Sequence, residues 1–519
     1  ASIGGETNAS SEAAFRFVGN IDEVQVFDKV LNQAALNALL AQTNSCFNIA
    51  PVDHYELSLP SSSLACLAST VTVTACADSS SPCTNRATAV SGQTASLSVS
   101  GATLAAGTVT FDASGQASTS LTYPAAPNGT AVSVTLSGEQ TAATNARQCC
   151  PNGTGCSATS SCPTTFNTAG FIFASSMGGA SASLPTQTAG TGSGTLYLRA
   201  VQTSTSTQAC VAALTGSTSV NWATQCNNPS TCSSGNRMTL TGSSASLVAA
   251  NPNSGVTATT SVPMTFDANG NAPFSFNYAD VGQVTLSATK AAGGTLLTSL
   301  AGTSNAFVVK PARFTVSGVK CTSYAAGVCA TAAIGSPGNN PAAGSASGTA
   351  FIQAGQAFSA SVTAVDAAGN TAPNYGREST PESVKLTHTL VQPVGGSAGL
   401  LANSSVFGSF SAGVATGTVF SWSEVGVITL TPSVGDGSYL GVGDVTGTAS
   451  GNVGRFIPNH FDTVVTQACP AGAFSYSGQP FSVGVTAMNG LSAPSATTNY
   501  GGSSFAKAVM LSDSNAVAG

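Results

Sequence analysis

Fourteen cysteines are the residues of this 519-residue chain whose chemistry is easiest to foresee, because closely spaced thiols either form disulfides or bind metal ions. Four of them crowd into one short segment, residues 146–165. The candidates are Cys149, Cys150, Cys156 and Cys162 in that segment, and Cys76 with Cys83, Cys226 with Cys232 and Cys321 with Cys329 elsewhere. Cys469 has no close neighbour, so its mate is expected among distant cysteines or beyond the given sequence.

Zinc is the competing interpretation of such clusters. However, the chain has no C-x-x-C pair, and its three histidines lie far from the cysteine-rich segment. We therefore predict disulfides, which imply an oxidising compartment.

The remaining reactive side chains are sparse. There is no G-x-S-x-G motif, and 20 acidic residues are spread along the chain without the regular spacing of a calcium loop. Asp112, Asp267 and Asp366 lie in predicted turns, where a carboxylate is expected to cap backbone amides. The sequence thus predicts no catalytic, cofactor-binding or metal-ligating residue and no enzyme, while a calcium ion at a module junction stays open as an alternative.

Composition narrows the partners. Charged residues make up 7% of the chain against roughly a quarter in an ordinary soluble domain, so the surface is expected to be neutral and rich in hydroxyl groups. With 14 Lys and Arg and a net charge of −6, nucleic acid is excluded as a partner. No uninterrupted apolar stretch of about 18 residues predicts a transmembrane segment, and a signal peptide is expected upstream.

A repeated pattern defines the modules that must position these residues. A phenylalanine opens a short turn, and an aromatic residue follows twelve positions later. The three copies are Phe111 with Tyr123, Phe266 with Tyr278, and Phe410 with Trp422. The alternating runs on either side of the turn predict a β-hairpin. Successive copies start 155 and then 144 residues apart, so we expect an array of β modules.

Two further patterns recur. His54, Arg313 and His460 each stand beside an aromatic residue shortly after a proline, and the exchange of histidine for arginine favours a role at module junctions over catalysis. The segments Gly355–Gly376 and Gly478–Gly501 resemble each other, and both begin with a strictly alternating strand pattern.

These patterns predict an all-β chain of tandem immunoglobulin-like β-sandwiches. The expected units are a C-terminal remnant of another domain at 1–48, module 1 at 51–145, a cysteine-rich linker at 146–165, module 2 at 166–310, module 3 at 311–455 and an incomplete module 4 at 456–519.

Three resemblances add to this interpretation. The strand and short helix of residues 17–42 resemble the ending of LamG, or concanavalin A-like, jelly-roll domains, with Gly19, Ile21, Asp22 and Val24 on the shared pattern. The sequence 266–289 resembles the ending of bacterial immunoglobulin-like (Big) domains. Most of residues 17–505 is similar to the MSHA biogenesis protein Q (MshQ-like) family of exported Gram-negative proteins associated with type IV pili.

The resemblance implies a non-enzymatic stalk, adhesin or surface fibre, located outside the cell, on its surface or on a pilus. The alternatives are an assembly or tip factor of an MSHA-class pilus and, further off, accessory modules of a carbohydrate-acting enzyme. Expected partners are other copies of the chain, pilus components, glycans or surfaces.

Overall fold

The computed structural model describes residues 52–512, except for 154, 233–234, 236, 295, 323–337, 470–473 and 502–503. The predicted LamG-like ending at residues 17–42 lies outside the described residues, as do Cys46 and Cys329. Within the described part of the chain, the regular structure consists of β-strands and three short 3-10 helices. This confirms the all-β prediction.

Module 1 is a sandwich of a six-stranded and a five-stranded sheet, with strand orders β10-β9-β1-β3-β7-β5 and β2-β11-β8-β4-β6. Its 3-10 helices span Thr88–Val90 and Pro151–Gly153. The strands are β1 (His54–Ser58), β2 (Ser62–Leu64), β3 (Ser69–Cys76), β4 (Thr94–Val99), β5 (Thr103–Leu104), β6 (Thr108–Thr110), β7 (Gln116–Thr122), β8 (Thr130–Ser137), β9 (Gln148–Cys149), β10 (Ser157–Ala158) and β11 (Ser161–Asn167).

The segment 146–165, which the sequence predicts as a linker, contributes β9, β10 and most of β11 to these two sheets. Cys149 and Cys162 are buried in the hydrophobic core of module 1 and are joined by a disulfide. The sequence pattern suggested a linker because the segment has few apolar residues. Buried cystine supplies the apolar contacts that these residues lack.

Module 2 forms one 12-stranded sheet system with the main order β12-β14-β20-β17-β18-β16-β21-β23-β13, and β15, β19 and β22 pair at its side. Trp222 lies in its core against Phe274 at 5.0 Å and Phe173 at 5.7 Å between ring centroids. The strands are β12 (Ala169–Ala174), β13 (Gln187–Thr188), β14 (Leu196–Thr203), β15 (Cys210–Ala212), β16 (Gly216–Asn228), β17 (Met238–Thr241), β18 (Ala245–Asn251), β19 (Thr260–Phe266), β20 (Asn271–Tyr278), β21 (Gly282–Lys290), β22 (Leu300–Thr303) and β23 (Phe307–Lys310).

Module 3 packs the sheet β24-β25-β28-β27 with the sheet β26-β29-β30, and module 4 contributes the pair β31-β32. A 3-10 helix spans Tyr439–Gly441. The strands are β24 (Arg313–Cys321), β25 (Phe358–Val365), β26 (Val384–Gln392), β27 (Leu401–Ala402), β28 (Val414–Trp422), β29 (Gly426–Val434), β30 (Val453–Phe456), β31 (His460–Thr466) and β32 (Ser482–Met488).

The predicted β-hairpin at the phenylalanine repeat is wrong for the first two copies. β6 pairs with β4 while β7 pairs with β3 and β5, so the turn after Phe111 carries the chain from one sheet to the other. Likewise β19 pairs with β16, and β20 pairs with β14 and β17. Alternation shows that each strand has one buried face, but it does not show which strand lies alongside it.

The aspartates of the turns cap backbone amides, as predicted. Oδ1 of Asp112 accepts the N–H groups two and four residues further on, at 2.8 and 3.0 Å, and Oδ1 of Asp267 does the same at 2.8 Å for both. Oδ1 of Asp366 accepts the N–H of Asn370 at 2.8 Å. Side-chain hydrogen bonds from Ser114 to Asp112 and from Asn271 to Asp267, followed by the backbone bonds, lower the pKa of these two aspartates because they favour the ionised carboxylate.

The hydrophobic cores of modules 2 and 3 are continuous, since a single cluster of buried side chains runs from Ala169 to Phe456. Module 1 has a core of its own, from Val52 to Phe166. Within the residues described, the structure has no helix with the length and apolarity needed to cross a membrane.

Candidate functional site

The junction between modules 2 and 3 centres on a buried carboxylate. Asp280 lies in the short turn between β20 and β21 and is fully buried. Its Oδ1 accepts the backbone N–H of Val281 at 2.9 Å and that of Asn374, in module 3, at 3.0 Å. A charge-assisted hydrogen bond of this kind is stronger than one between neutral groups.

The side chain of Asn374 completes the contact from the other direction. It is almost fully buried, and its Nδ2 donates to the carbonyl oxygen of Val281 at 3.3 Å and to the hydroxyl of Tyr278 at 3.4 Å. Asn374 follows β25 in the loop of the repeated segment 355–376. Both its backbone and its side chain therefore bind the same turn of module 2.

The junction between modules 3 and 4 repeats this geometry. Oε2 of Glu424 accepts the backbone N–H of Asn499 at 3.1 Å, and Oε1 accepts the N–H and the hydroxyl of Thr498 at 3.0 and 2.8 Å. Nδ2 of Asn499 donates to the carbonyl oxygens of Val425 at 3.1 Å and of Ser397 at 2.9 Å. Glu424 and Asn499 are both buried.

We call this arrangement the junction latch. An acidic residue followed by Val-Gly on the preceding module receives Asn-Tyr-Gly from the next module. The two latches are 280–282 with 374–376, and 424–426 with 499–501. We call the acidic residue and the Val-Gly after it the acidic socket of the latch. Module 1 has no such socket, because Tyr123 is followed by Pro124 and Ala125.

The tyrosine of each latch packs against aromatic residues of its own module. Tyr375 packs against Phe410 at 4.7 Å and Phe314 at 5.1 Å between ring centroids. Tyr500 packs against Phe461 at 5.6 Å. Asparagine therefore binds the preceding module while the adjacent tyrosine is packed within its own.

Burial sets the electrostatics of the first latch. It raises the pKa of Asp280 to about 6, although the bonds from Asn374 and Val281 and the nearby Arg237 and Arg377 act in the opposite direction. Oδ2 of Asp280 has no hydrogen-bond partner among the described residues. Desolvation of the charged form is thus the dominant effect.

A second acidic group lies beside this junction. Glu378 is buried, with Oε1 accepting from the hydroxyl of Tyr439 at 2.9 Å and Oε2 from the N–H of Glu382 at 3.2 Å. Burial raises the pKa of both glutamates. Glu382 helps to line a pocket formed by Asn228, 379–383, Asp436 and Leu440.

The two junctions do not bring three metal ligands together in the part of the chain that the structure describes. The groups of His, Cys and Glu whose ligand atoms lie within 4.8 Å of each other are both in module 1. They are His54, Glu56 and Cys76, and Glu56, Cys150 and Cys156. Their cysteines are in disulfides, so no thiolate is available to a metal. Calcium at a junction stays a prediction.

The residues of the repeated opening pattern start strands. His54, Arg313 and His460 are the first residues of β1, β24 and β31. His54 is fully buried, with Nδ1 at 2.8 Å from a carboxylate oxygen of Asp53 and Nε2 at 3.4 Å from one of Glu56. Arg313 donates to the carbonyl oxygen of Ala367 at 3.5 Å, next to the contact between modules 2 and 3.

The structure joins most of the candidate cysteines in pairs. The disulfides within modules are Cys76–Cys83, Cys149–Cys162, Cys150–Cys156 and Cys226–Cys232. Cys321 is also disulfide-bonded, while Cys469 is free among the described residues.

Sequence reasoning missed one pair, Cys66–Cys210, which joins module 1 to module 2. The two residues are 144 positions apart, so spacing gave no signal. Beside this link, Oδ1 of Asn128 accepts the N–H of Thr168 at 3.0 Å. The first junction therefore uses a covalent bond where the later ones use latches.

The residues of the aromatic repeat lie in or beside the cores. Phe111, Phe266, Tyr278 and Trp422 are buried, whereas Tyr123 and Phe410 are half-buried. Tyr278 and Trp422 end the strands that lead into the two acidic sockets. The repeat thus positions both junction latches, which its spacing alone did not reveal.

Comparison with protein families divides the chain into four stretches. Residues 52–144 match DUF8613, a domain of unknown function. Residues 146–303 match the first Ig-like domain of DUF6701, residues 324–419 its second domain and residues 424–519 its third domain. Among curated proteins none matches the chain.

Solved structures with some likeness include three bacterial proteins. The adhesin FdeC of Escherichia coli is 12% identical, with a TM-score of 0.23 over 76% of this chain and 96% of the other. Invasin, a bacterial integrin-binding protein, is 15% identical, with a TM-score of 0.21 over 76% and 59%. InvD of Yersinia pseudotuberculosis is 16% identical, with a TM-score of 0.20 over 78% and 98%.

TM-scores this low assign no function to the chain. The family matches, by contrast, follow one another along the sequence and name an Ig-like domain within the region where the structure has β-sandwiches. Three stretches of the chain thus match the three DUF6701 domains in order, the first of them Ig-like, and a match to DUF8613 precedes them.

Proposed function

We propose that this chain is a non-enzymatic stalk of an extracellular adhesin, in which tandem β-sandwiches hold a binding region at a fixed distance and angle from the cell surface. The observation that carries the proposal is the junction latch, which is built twice from the same residue types. A chain of freely jointed domains has no use for buried, hydrogen-bonded carboxylates at its junctions, whereas a stiff stalk does.

The disulfides support the location outside the cytosol. Five are present among the described residues with both partners, and reducing compartments do not maintain such bonds. The low charge of the chain supports a surface that contacts other hydroxyl-rich or neutral surfaces rather than nucleic acid.

Gold labels at the two ends of the purified chain would test the stiffness directly in electron micrographs. We expect a narrow distribution of end-to-end distances, which becomes wider in the double variant Asp280→Ala/Glu424→Ala. The matched control is Asp462→Ala, which removes an exposed carboxylate outside both latches. An equally wide distribution in the unmodified chain would contradict a stiff stalk.

Adhesion itself needs a second assay. Cells that produce the intact protein should attach to glycans, host cells or abiotic surfaces, and deletion of the gene should reduce attachment. If deletion of the gene left attachment to all of these surfaces unchanged, the result would count against an adhesin, whatever the stiffness of the chain.

We further propose the narrower relationship to the MshQ-like family, with a role in assembly or at the tip of a type IV pilus as the second candidate function. The order of motifs along residues 17–505 supports the relationship to this family. A protein partner would also find an apolar surface on β31, where Phe461, Val464 and Val465 are exposed. A change in pilus number or length on deletion of the gene, with purified chain that stays monomeric, would favour this function over the stalk.

A further inference from the structure

Modules 1 and 2 are joined twice by covalent bonds. The main chain passes from β11 into β12 at Thr168, and the disulfide Cys66–Cys210 makes the second connection, with the two Cα atoms 5.1 Å apart. Cys66 follows β2 near the start of module 1, and Cys210 opens β15 in module 2. Together the two connections close a ring that contains β3 to β14.

The position of this ring decides where tension runs when the chain is pulled from its two ends. Load that enters module 1 at its first strand reaches Cys66 after only two strands, β1 and β2. It then has a direct covalent path through the disulfide to Cys210 and on into β16. Residues 67–209 lie outside this covalent path, and their two ends cannot be pulled apart while the disulfide is intact.

We propose that the Cys66–Cys210 disulfide is a load-bearing bypass, which transmits tension from module 1 to module 2 and shields residues 67–209 from forced unfolding. This role deepens the proposed function as a surface stalk and rests on it. Unfolding under force extends a chain only between points that the force pulls apart, and both ends of this ring are held together by a covalent bond.

The other four disulfides whose two cysteines are both described cannot do the same, because their partners are 6 to 13 residues apart. Cys76–Cys83, Cys149–Cys162 and Cys150–Cys156 lie inside the shielded ring, and Cys226–Cys232 lies beyond it. Each of these closes a small loop within one module. Cys66–Cys210 differs in that it crosses a module junction.

The later junctions are built differently. Besides the main chain, non-covalent contacts join modules 2 to 4. They include the hydrogen bonds at Asp280 and Glu424 and the continuous core of modules 2 and 3, and such contacts can break and re-form under load. The chain outside the ring, which comprises β1, β2 and the part after Cys210, is therefore expected to extend, while residues 67–209 stay closed in the ring. Such a stalk lengthens under tension without extending the residues inside the ring.

Single-molecule pulling of the full chain from its two ends tests the bypass. The oxidised protein should give extensions from the modules after Cys210, without the added length of residues 67–209. The double variant Cys66→Ser/Cys210→Ser should release roughly 40 to 50 nm more, from about 3.3–3.6 Å per extended residue and allowing for the loops that remain closed.

The matched control is Cys150→Ser/Cys156→Ser, which also removes one disulfide. This disulfide lies inside the larger loop closed by Cys149–Cys162, so its loss should leave the total extension of the oxidised protein unchanged. Should the Cys66→Ser/Cys210→Ser variant fail to fold, the Cys150→Ser/Cys156→Ser variant pulled before and after addition of a reductant provides the test. The reductant should then release the same roughly 40 to 50 nm together with the shorter lengths of the small loops that it also opens.

Release of the additional 40 to 50 nm by the oxidised, unmodified chain would overturn the bypass. So would a double variant with the same total extension as the unmodified chain. These results are independent of whether cells use the protein for attachment, because pulling measures the covalent path and the adhesion assay measures the function. If pulling showed the bypass but the adhesion assay showed no role in attachment, only the proposed stalk function would be contradicted.

Discussion

Asp280 of module 2 and Asn374 of module 3 are 94 residues apart in the chain and are joined by a 3.0 Å hydrogen bond from the backbone N–H of Asn374 to the carboxylate. The side chain of the same asparagine donates to the carbonyl oxygen of the next residue, Val281. Asn374 thus forms hydrogen bonds with both the acidic group and the backbone of the preceding module. Glu424 and Asn499 repeat the relationship one module further on.

Removal of either carboxylate should loosen its own junction. In Asp280→Ala the N–H of Asn374 loses its acceptor, and a buried donor without a partner costs about 1–3 kcal/mol. Amide hydrogen exchange should then become faster at Asn374, while the amide of Asn499 keeps its protection. Glu424→Ala should give the reverse pattern. Equal effects of either variant at both junctions would show that the latches do not act locally.

The first latch should respond to pH. Because burial raises the pKa of Asp280 to about 6 from 3.8, the folded protein favours the protonated form more than the unfolded chain does. Its contribution is fully present below about pH 4 and is lost as the pH rises through about 6, on the order of 3 kcal/mol in all.

Other carboxylates contribute with the opposite sign, since hydrogen bonds lower the pKa of Asp112 and Asp267. The measurement is therefore a difference. The free energies of unfolding of the unmodified protein and of Asp280→Asn should be closest near pH 4, where Asp280 is protonated and neutral like the amide. They should move apart towards pH 7, where the unmodified protein loses stability relative to the variant. A constant difference across this range would exclude the titration of Asp280.

The glycine of the first socket should tolerate no side chain. Gly282 has φ of +125°, and a Cβ there would lie 2.5 Å from the carbonyl oxygen of Asn228. Gly255 has a similar φ of +137° but nothing within 4 Å of the same position. Gly255→Ala should therefore cost only backbone strain, about 1–2 kcal/mol, whereas Gly282→Ala adds a clash with backbone. Thermal unfolding of both variants checks the order, and equal losses would contradict it.

The two tryptophans should differ in how they tolerate phenylalanine. Both are fully buried, but Nε1 of Trp422 donates to the carbonyl oxygen of Ala398 at 2.8 Å, while Nε1 of Trp222 has no partner among the described residues. Both substitutions lose packing. Trp422→Phe also loses a hydrogen bond and should cost about 1 kcal/mol more, measured by hydrogen exchange within each module. A larger loss at Trp222 would contradict this order.

The sequence was sufficient for much of the architecture. Low charge, alternating apolar residues and turn residues indicated tandem β-sandwiches, and Asp112, Asp267 and Asp366 cap turns as their context predicted. Closely spaced thiols such as Cys226 and Cys232 also meet in the structure. These features are local, because each depends on residues that are near one another in the chain.

Strand pairing and the module junctions needed the tertiary structure. The pattern around Phe111 specifies a buried face but not a neighbouring strand, so it gave no warning that β6 and β7 belong to different sheets. Both halves of each latch were visible as repeats, yet nothing in the sequence said that Asn374 would reach Asp280. Nor did the sequence indicate that Cys66 and Cys210 would form a disulfide. Contacts between residues roughly 75 to 145 positions apart depend on how whole sandwiches stack, and only the folded chain decides that.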